Sequence, residues 1–173
     1  MSKTLLVFFS NTGFTRTVAE EIMRSCNCDV EEIRPIRSRE GVLGYLRAGF
    51  EAFTKKQAEI VPPSRSPDAY DLTILGGPVW AGHVSSPVRT YVRKLHHQFG
   101  QVAWFCTYGG SGAEQMLAEL SELAGRQPVT ILSLKDSEIG AETFAEKVKR
   151  FASELNSLTK KRDASKTPSA RVA

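Results

Sequence analysis

Short runs of apolar residues alternate along the chain with longer stretches in which apolar positions recur every three or four residues. The first pattern is typical of strands buried on both faces of a parallel sheet, and the second of amphipathic helices. Alternating strands and helices indicate an α/β fold, a three-layer sandwich with one five-stranded parallel sheet and helices on both faces. The predicted strands are Thr4–Phe9, Asp29–Ile33, Asp71–Leu75, Val102–Cys106 and Val129–Leu134.

Helices are predicted after four of these strands. The first helix spans about Gly13–Ser25. Ser86 and Pro87 provide an N-cap and a first-turn proline for the second helix. Ser111 and Glu114 have the spacing of a capping box at the start of the third helix. The last helix is marked by apolar residues at helical spacing, which are Phe144, Val148, Phe151 and Leu155.

The connection after the second strand is longer than a minimal sheet of this type needs. Residues 34–65 form a basic insertion, with seven lysines and arginines against three glutamates. Within it, Gly41–Lys56 predicts an amphipathic helix interrupted by glycines. The insertion could close over a ligand, form the face of a homodimer or dock a redox partner. Plain helical packing with a solvated basic side is the alternative.

Charge is unevenly distributed over the 173 residues, a length that fits one domain. The net charge is +4, but basic residues are concentrated in the insertion and in residues 159–173. That last segment lacks large apolar residues apart from Val172, so we expect a domain over 1–158 and a disordered basic tail. Nucleic-acid binders more often spread basic charge over a folded face interleaved with aromatic residues. We therefore expect no nucleic-acid partner.

The cysteines and the apolar runs indicate where the protein resides. Cys26, Cys28 and Cys106 are too few and too scattered for a disulfide framework. No apolar run approaches the ~20 residues of a membrane helix, and the first run is too short for a signal peptide. We expect a reduced, cytoplasmic protein without a membrane span. Without a second cluster of cysteines or histidines, no metal site is predicted.

Three loops rich in glycine and hydroxyl residues follow the first, third and fourth predicted strands. Ligands of open parallel sheets bind beyond the carboxyl ends of the strands, so these loops are the candidate site. In the first loop, Ser10–Thr15, hydroxyls and free backbone N–H groups at a helix start form an anion site. The loop lacks the lysine of a nucleotide P-loop. A polar turn that only caps the helix is the alternative.

The second and third loops offer surfaces for a planar ligand. Gly76–His83 contains Trp80, whose indole could present a flat face to a ring system or simply pack over the sheet edge. Thr107–Gly112 supplies another aromatic residue and three glycines that permit close backbone approach. Together the loops predict a phosphate at one end and a planar aromatic body at the other. This is the shape of a mononucleotide, and FMN is the natural candidate.

With these loops the sequence resembles the flavodoxin family in its short-chain form, over about residues 3–157. The most specific element is SNTGFT at residues 10–15, after a hydrophobic strand. The resemblance implies a flavodoxin-like sandwich that holds the flavin phosphate in the first loop and the ring between the second and third. The implied cofactor-binding residues are Ser10, Asn11, Thr12, Gly13, Phe14, Thr15, Pro78, Val79, Trp80, Ala81, Gly82, Thr107, Tyr108, Gly109, Gly110 and Gly112.

The sequence departs from the family pattern in three ways. Phe14 replaces a common asparagine, the insertion is additional, and the charge is basic, whereas many electron-carrier flavodoxins are strongly acidic. The three loops hold no Asp or Glu before Glu114. Because carboxylates disfavour a nearby anionic reduced flavin, we expect a reduction potential less negative than that of an acidic carrier.

Three functions are compatible with these features. The first is a flavodoxin-like redox protein that transfers electrons through bound FMN, to a partner protein or a small-molecule donor or acceptor. The second is an NAD(P)H-dependent reductase of quinones or other small acceptors. The third is a non-redox binding domain on the same fold. No catalytic side chain is predicted, because the flavin would supply the chemistry, although His83 could hydrogen-bond the flavin or a substrate.

Overall fold

The computed structural model of the chain describes residues 3–36 and 58–166, with side chains up to residue 158. One sheet contains five parallel strands in the spatial order β2-β1-β3-β5-β6, and the short β4 pairs antiparallel with the end of β3. This confirms the predicted parallel α/β architecture. The strands are β1 (Thr4–Phe8), β2 (Asp29–Glu32), β3 (Leu72–Trp80), β4 (His83–Val84), β5 (Gln101–Tyr108) and β6 (Ile131–Lys135).

Helices cover both faces of the sheet and close two separate cores. Adjacent strand residues point to opposite faces, so Leu5 lies in one core and Leu6 in the other. Helices α2 and α3 close the first core, and α1 and α4 close the second. The described helices are α1 (Phe14–Ser25), α2 (Ser86–Leu95), α3 (Ala113–Ala124) and α4 (Glu142–Lys166).

The order of the strands creates a crevice at the carboxyl edge of the sheet. From β1 the chain first adds β2 on one side and then returns to add β3 on the other. Connections therefore leave β1 and β3 in opposite directions, and ligands of such sheets bind at this switch point. The three candidate loops all emerge at this edge.

The strand β3 continues well beyond its predicted end. The sequence predicted a strand over Asp71–Leu75 and a loop from Gly76, but the strand continues to Trp80. A β-carbon on Gly76 would lie 2.3 Å from ring atoms of Phe105 on the neighbouring strand. The glycine therefore marks close packing of an aromatic ring on the strand, and a loop there was the wrong prediction.

Other element boundaries also differ from the sequence prediction. The N-cap of α2 is Ser85 rather than Ser86, and its side chain makes no capping hydrogen bond. The N-cap of α3 is Gly112, with a φ of 91°, so the predicted capping box of Ser111 and Glu114 is wrong. In the described part of the chain, no helix has the length and apolar character needed to cross a membrane.

The basic insertion and the tail are only partly described. The predicted helix over Gly41–Lys56 lies outside the described residues. The flanking residues pair with each other, because Ile36 N–H donates to the carbonyl of Glu59 and Val61 N–H to that of Arg34. The tail predicted to be disordered from residue 159 is helical as far as Lys166, and residues 167–173 lie outside the description.

Candidate functional site

Two close contacts bring the three candidate loops together. The hydroxyl oxygens of Thr15 and Thr107 lie 2.8 Å apart and are buried, which ties the first loop to the third. A β-carbon on Gly112 would come within 2.5 Å of the Cα of Gly82, which places the third loop against the second. The predicted site residues therefore assemble at one edge of the sheet.

The first loop forms a compact turn at the start of α1. Ser10 Oγ accepts hydrogen bonds from the backbone N–H groups of Gly13 and Arg16, each at 3.2 Å. Gly13 is the N-cap, with a φ of 100°, a conformation that L side chains rarely adopt. The first turn of α1 holds no acidic residue, so the positive end of the helix dipole is not neutralised there. This arrangement suits an anionic ligand.

The threonines of the first loop have different environments. Thr12 is exposed, and its hydroxyl is available to a ligand. Thr15 is 1% exposed, and its hydroxyl already has a partner in Thr107. The structure thus places Thr15 as a link between loops rather than as an open phosphate ligand. Beside them, Asn11 is half-buried and Phe14 is exposed.

The second loop is a tight β-hairpin. Val79 pairs with Val84 and Trp80 with His83, which leaves a two-residue turn. Both turn residues have positive φ, 48° for Ala81 and 79° for Gly82, as a hairpin turn that follows the twist of its strands requires. The site wall here is therefore paired backbone, and the predicted open loop is wrong.

Trp80 lies in the core rather than facing the ligand edge. It is 8% exposed, and its ring meets that of Phe9 edge-on, with centroids 5.6 Å apart. The open indole face expected from the sequence is absent, and packing over the sheet describes this residue correctly. Pro78 and Val79, which directly precede it on β3, are half-buried and remain accessible.

The third loop brings a carboxylate that the sequence analysis missed. Tyr108 is half-buried, and Gly109 and Gly110 are exposed. Asp136 Oδ2 lies 3.5 Å from the position that a β-carbon on Gly109 would take. Asp136 follows β6, which adjoins β5, so only the strand order shows that it reaches this loop. Burial raises the pKa of its carboxyl group.

The residues present fit FMN. A phosphate needs hydrogen-bond donors and positive potential, which the α1 N-terminus and the Thr12 hydroxyl provide without a competing carboxylate in the first turn. A planar ring needs flat, close-lying backbone, which Pro78, Val79 and Gly109 offer. Around the β-carbon positions of Gly13 and Gly110 there are no atoms within 4 Å, so the loops leave open space.

An ion pair between two helices contacts the second strand of the hairpin. Arg89 on α2 is fully buried, and its Nη2 donates to Glu119 Oε1 on α3 at 2.7 Å. Glu119 Oε2 accepts from the backbone N–H of Val84 and lies 3.1 Å from His83 Nδ1. Burial acts to raise the pKa of Glu119, but the hydrogen bonds from Val84, Arg89 and His83 outweigh it and hold the pKa below its ordinary value.

A family model described as flavodoxin matches residues 3–148. The chain belongs to the flavodoxin family. Membership of this family supports FMN as the cofactor, as the loops predicted. Among curated proteins, none matches the sequence.

Solved structures share the fold of this flavodoxin-family chain. A flavoprotein from Lactobacillus acidophilus NCFM, in complex with FMN, is 24% identical, with a TM-score of 0.67 over 80% of this chain and 97% of that one. A protein from Bacteroides uniformis ATCC 8492 is 23% identical, with a TM-score of 0.75 over 88% and 98%. Oxidised flavodoxin 2 from Bacillus cereus is 16% identical, with a TM-score of 0.61 over 91% and 99%.

The thiols of this flavodoxin-family protein are not suited to redox chemistry of their own. Burial raises the pKa of Cys26 to about 11 and that of Cys106 to about 12. The pKa of Cys28 is also raised to about 12, by burial first and then by the nearby Cys26 and Asp29. Because the thiolate is the reactive form, these raised pKa values lower the reactivity of the cysteines at neutral pH.

Proposed function

We propose that the chain binds FMN at the carboxyl edge of its sheet and transfers electrons through the bound flavin. The observation that carries this proposal is the convergence of the three loops, through the Thr15–Thr107 and Gly82–Gly112 contacts. The flavoprotein of Lactobacillus acidophilus NCFM, which shares this fold, is described in complex with FMN. When bound, FMN would supply the electron-transfer chemistry.

The residues of the chain have distinct parts in this proposal. Ser10–Gly13 and the first turn of α1 hold the phosphate, through the exposed Thr12 hydroxyl and backbone N–H groups other than those of Gly13 and Arg16, which donate to Ser10 Oγ. The hairpin side chains Pro78 and Val79 lie along one side of the ring, and Tyr108 with Gly109 along another. Thr15 and Thr107 keep the phosphate end and the ring end in register.

A cytoplasmic location and a redox partner, either a protein or a small molecule, belong to the same proposal. Cys26 and Cys106 are buried free thiols, and free thiols are typical of a reducing compartment such as the cytoplasm. Electron transfer requires that the flavin edge be reachable, and the exposed Gly109 and Gly110 leave the third loop accessible to a partner.

The test is flavin retention by the purified chain after loading with FMN and removal of free flavin. We expect a structured oxidised-flavin absorption spectrum at near-stoichiometric occupancy, and tighter binding of FMN than of riboflavin. A chain that retains no flavin would contradict the proposal. Equal affinities for FMN and riboflavin would contradict the assignment of the first loop to the phosphate.

Two matched glycine variants sharpen this test. Gly13→Ala forces a β-carbon into a φ of 100° at the proposed phosphate site. Gly125→Ala also places a β-carbon at a positive φ, 61°, with a milder strain, at the far end of α3. We expect Gly13→Ala to weaken FMN binding but to change riboflavin binding little, whereas Gly125→Ala should leave the ratio of the two affinities unchanged.

A further inference from the structure

A small cavity lies at the free edge of the sheet, beside the edge strand β2. This strand pairs with β1 on one side, and on its other side residues 60–64 run past it as the chain returns towards β3. Between the two lies a cavity of about 290 Å³, lined by residues 30–34, residues 60–64 and Tyr91 of α2. It contains none of the residues assigned to FMN, so it is a separate candidate site.

The cavity opens where proline stops the pairing of the chain with β2. Antiparallel pairing of residues 34–36 with residues 59–61 would, if it continued, bring Pro63 opposite Glu32. Proline has no N–H, so the carbonyl of Glu32 gains no backbone donor there. This carbonyl points away from β1, because the groups that pair with β1 are those of Ile33 and alternate residues before it. The cavity wall therefore presents a backbone hydrogen-bond acceptor.

The half-buried Glu31 adds a carboxylate that is fixed in place by neutral donors. Its Oε1 accepts from the backbone N–H of Ser64 at 3.1 Å, and its Oε2 accepts from the Ser64 hydroxyl at 2.6 Å. Arg65, the next residue along, forms its ion pair with Asp29 instead. Within residues 3–36 and 58–158, no cationic side chain pairs with Glu31, and its carboxylate can accept further hydrogen bonds. The cavity thus contains an oriented negative charge.

Tyr91 lines the cavity and has a hydroxyl without a partner. Its side chain is fully buried, and its ring stacks on that of Phe99 with centroids 6.4 Å apart. The hydroxyl makes no hydrogen bond to any described residue. Burial raises the pKa of Tyr91, and the charges of Glu31 and Tyr70 raise it further, which places Glu31 within electrostatic reach of the hydroxyl. An unpaired buried hydroxyl destabilises a protein, so a ligand that bonded to it would offset this cost.

We propose that this cavity binds a small organic cation, a primary ammonium group on a short chain. An ammonium group has three N–H donors and no acceptor, and the cavity offers it the Glu31 carboxylate, the Glu32 carbonyl and the Tyr91 hydroxyl. The other charged side chains that line the cavity are Glu32, which is paired with Arg16, and the exposed Arg34. The volume is just below the usual range of ligand pockets, which limits the ligand to a small molecule or a single side chain.

Three probes of similar size separate the effect of charge from that of shape. At neutral pH butylamine is a cation, butanol is neutral and butyrate is an anion. We expect only butylamine to bind the full-length chain, with the shifted backbone amide signals in NMR spectra confined to residues 30–34 and 60–64. The titration is run on flavin-free and on FMN-loaded protein, so a failure of FMN binding does not affect it. An equal response to the three probes, or no shift at these residues, would overturn the proposal.

A fourth probe distinguishes two sources of the ammonium group. A lysine side chain carries the same group as butylamine, and Nα-acetyl-lysine N-methylamide presents it as a protein would. Tighter binding of this lysine derivative than of butylamine would support an ammonium site that accepts a side chain of a partner protein. Weaker binding would support a site for a free amine.

Two variants test the proposed contacts. Glu31→Gln should weaken butylamine binding about tenfold or more, the effect of losing a hydrogen bond to a charged group. Glu122→Gln, at an exposed position on α3, is the control and should bind as the wild type does.

Tyr91→Phe should also weaken butylamine binding, and it has a second readout. Because the hydroxyl has no partner among the described residues, its removal should leave the free energy of unfolding unchanged or higher. A clear loss of stability would show that the hydroxyl has a structural partner and would overturn its assignment to the ligand. Wild-type affinity for butylamine in Glu31→Gln or Tyr91→Phe would overturn the proposal.

Discussion

The side-chain hydroxyls of Thr15 and Thr107 share a buried hydrogen bond of 2.8 Å across 92 residues of sequence. Both residues are at most 2% exposed, so neither hydroxyl can exchange its partner for water. One of them donates and the other accepts. The bond fixes the start of α1 against the end of β5, and with it the distance between the proposed phosphate and ring positions.

Loss of both hydroxyls should cost less than the sum of the two single losses. Thr15→Val or Thr107→Val alone leaves the other hydroxyl buried and unpaired, and we expect each to lower the free energy of unfolding by about 1–3 kcal/mol. The double variant removes both polar groups and should be clearly less destabilised than the sum of the two. Urea unfolding of the flavin-free chain measures all four stabilities, and strict additivity would contradict the pairing.

The close packing at Gly76 makes a second prediction. Gly76→Ala would place a β-carbon 2.3 Å from Phe105 ring atoms, so the ring or the strand must move. We expect a loss of about 1–3 kcal/mol, as for other overpacked cores. Gly110→Ala is the control, because no atom lies within 4 Å of its β-carbon position. Thermal unfolding of the flavin-free variants should show a large decrease in Tm for the first and little change for the second.

The carboxylate beside the third loop should lower the flavin reduction potential. Because Asp136 disfavours an anionic reduced flavin, Asp136→Asn should raise the midpoint potential, on the order of tens of millivolts. Burial raises the pKa of Asp136, so the difference between wild type and variant should vanish below that pKa and grow as the pH rises through it. Spectroelectrochemical titration at several pH values measures both effects.

Asp68→Asn is the matched control for this measurement. Asp68 is exposed on the turn just before β3, at the opposite end of the sheet. Its removal changes the net charge equally but should not alter the potential. The same potential shift in both variants would show that the effect is one of overall charge. An unchanged potential in Asp136→Asn would show that Asp136 does not act on the flavin, as the sequence, with no carboxylate in the three loops, had led us to expect.

The buried ion pair should make stability depend on pH. The folded-state pKa of Glu119 is depressed, so its contribution is complete above the ordinary glutamate pKa of about 4.3 and is lost as the pH falls through the lower folded value. We expect Glu119→Gln to unfold with a flatter dependence on acid pH than the wild type. Urea midpoints between neutral and strongly acidic pH test this, and parallel curves would contradict it.

Removal of Arg89 alone should be more harmful than removal of the pair. Arg89→Met leaves the half-buried Glu119 without its cation, and because this carboxylate is partly exposed the cost should be below the roughly 3–5 kcal/mol of a fully buried pair. Arg89→Met combined with Glu119→Gln should recover part of this loss. Circular dichroism first establishes that each variant folds, and unfolding free energies then measure the coupling between the two side chains.

The sequence predicted the sheet well because its central strands are buried on both faces. Thr4–Phe9 and Val102–Cys106 are apolar throughout, and a short continuous run of this kind is typical of a central strand in a parallel sheet. The edge strand β6 instead alternates, with Leu132 and Leu134 buried and Ile131 exposed, and its predicted start was two residues early. The local pattern of apolar residues thus located the helices and strands, while the residues at which they begin and end depended on tertiary packing.

The site was harder to predict, because its key contacts join distant parts of the chain. Composition located the three loops, but no local signal indicates that Thr15 bonds Thr107, or that Asp136 reaches Gly109. The same holds for Glu119, which occupies a helix position that the local pattern does not mark as buried. Gly76 misled the prediction because a glycine that accommodates a neighbouring ring looks the same in sequence as one in a loop.

The rigidity of the hairpin that carries Pro78–Gly82 should affect both the rate of ligand binding and the entropy lost on binding. Its backbone is paired up to Trp80 and His83, its two turn residues already hold positive φ, and its base is bonded to Glu119. A ligand that docks there meets a wall with its shape already set, and little conformational entropy is lost on association. Binding at this wall should therefore behave as lock and key, with no slow isomerisation step after encounter.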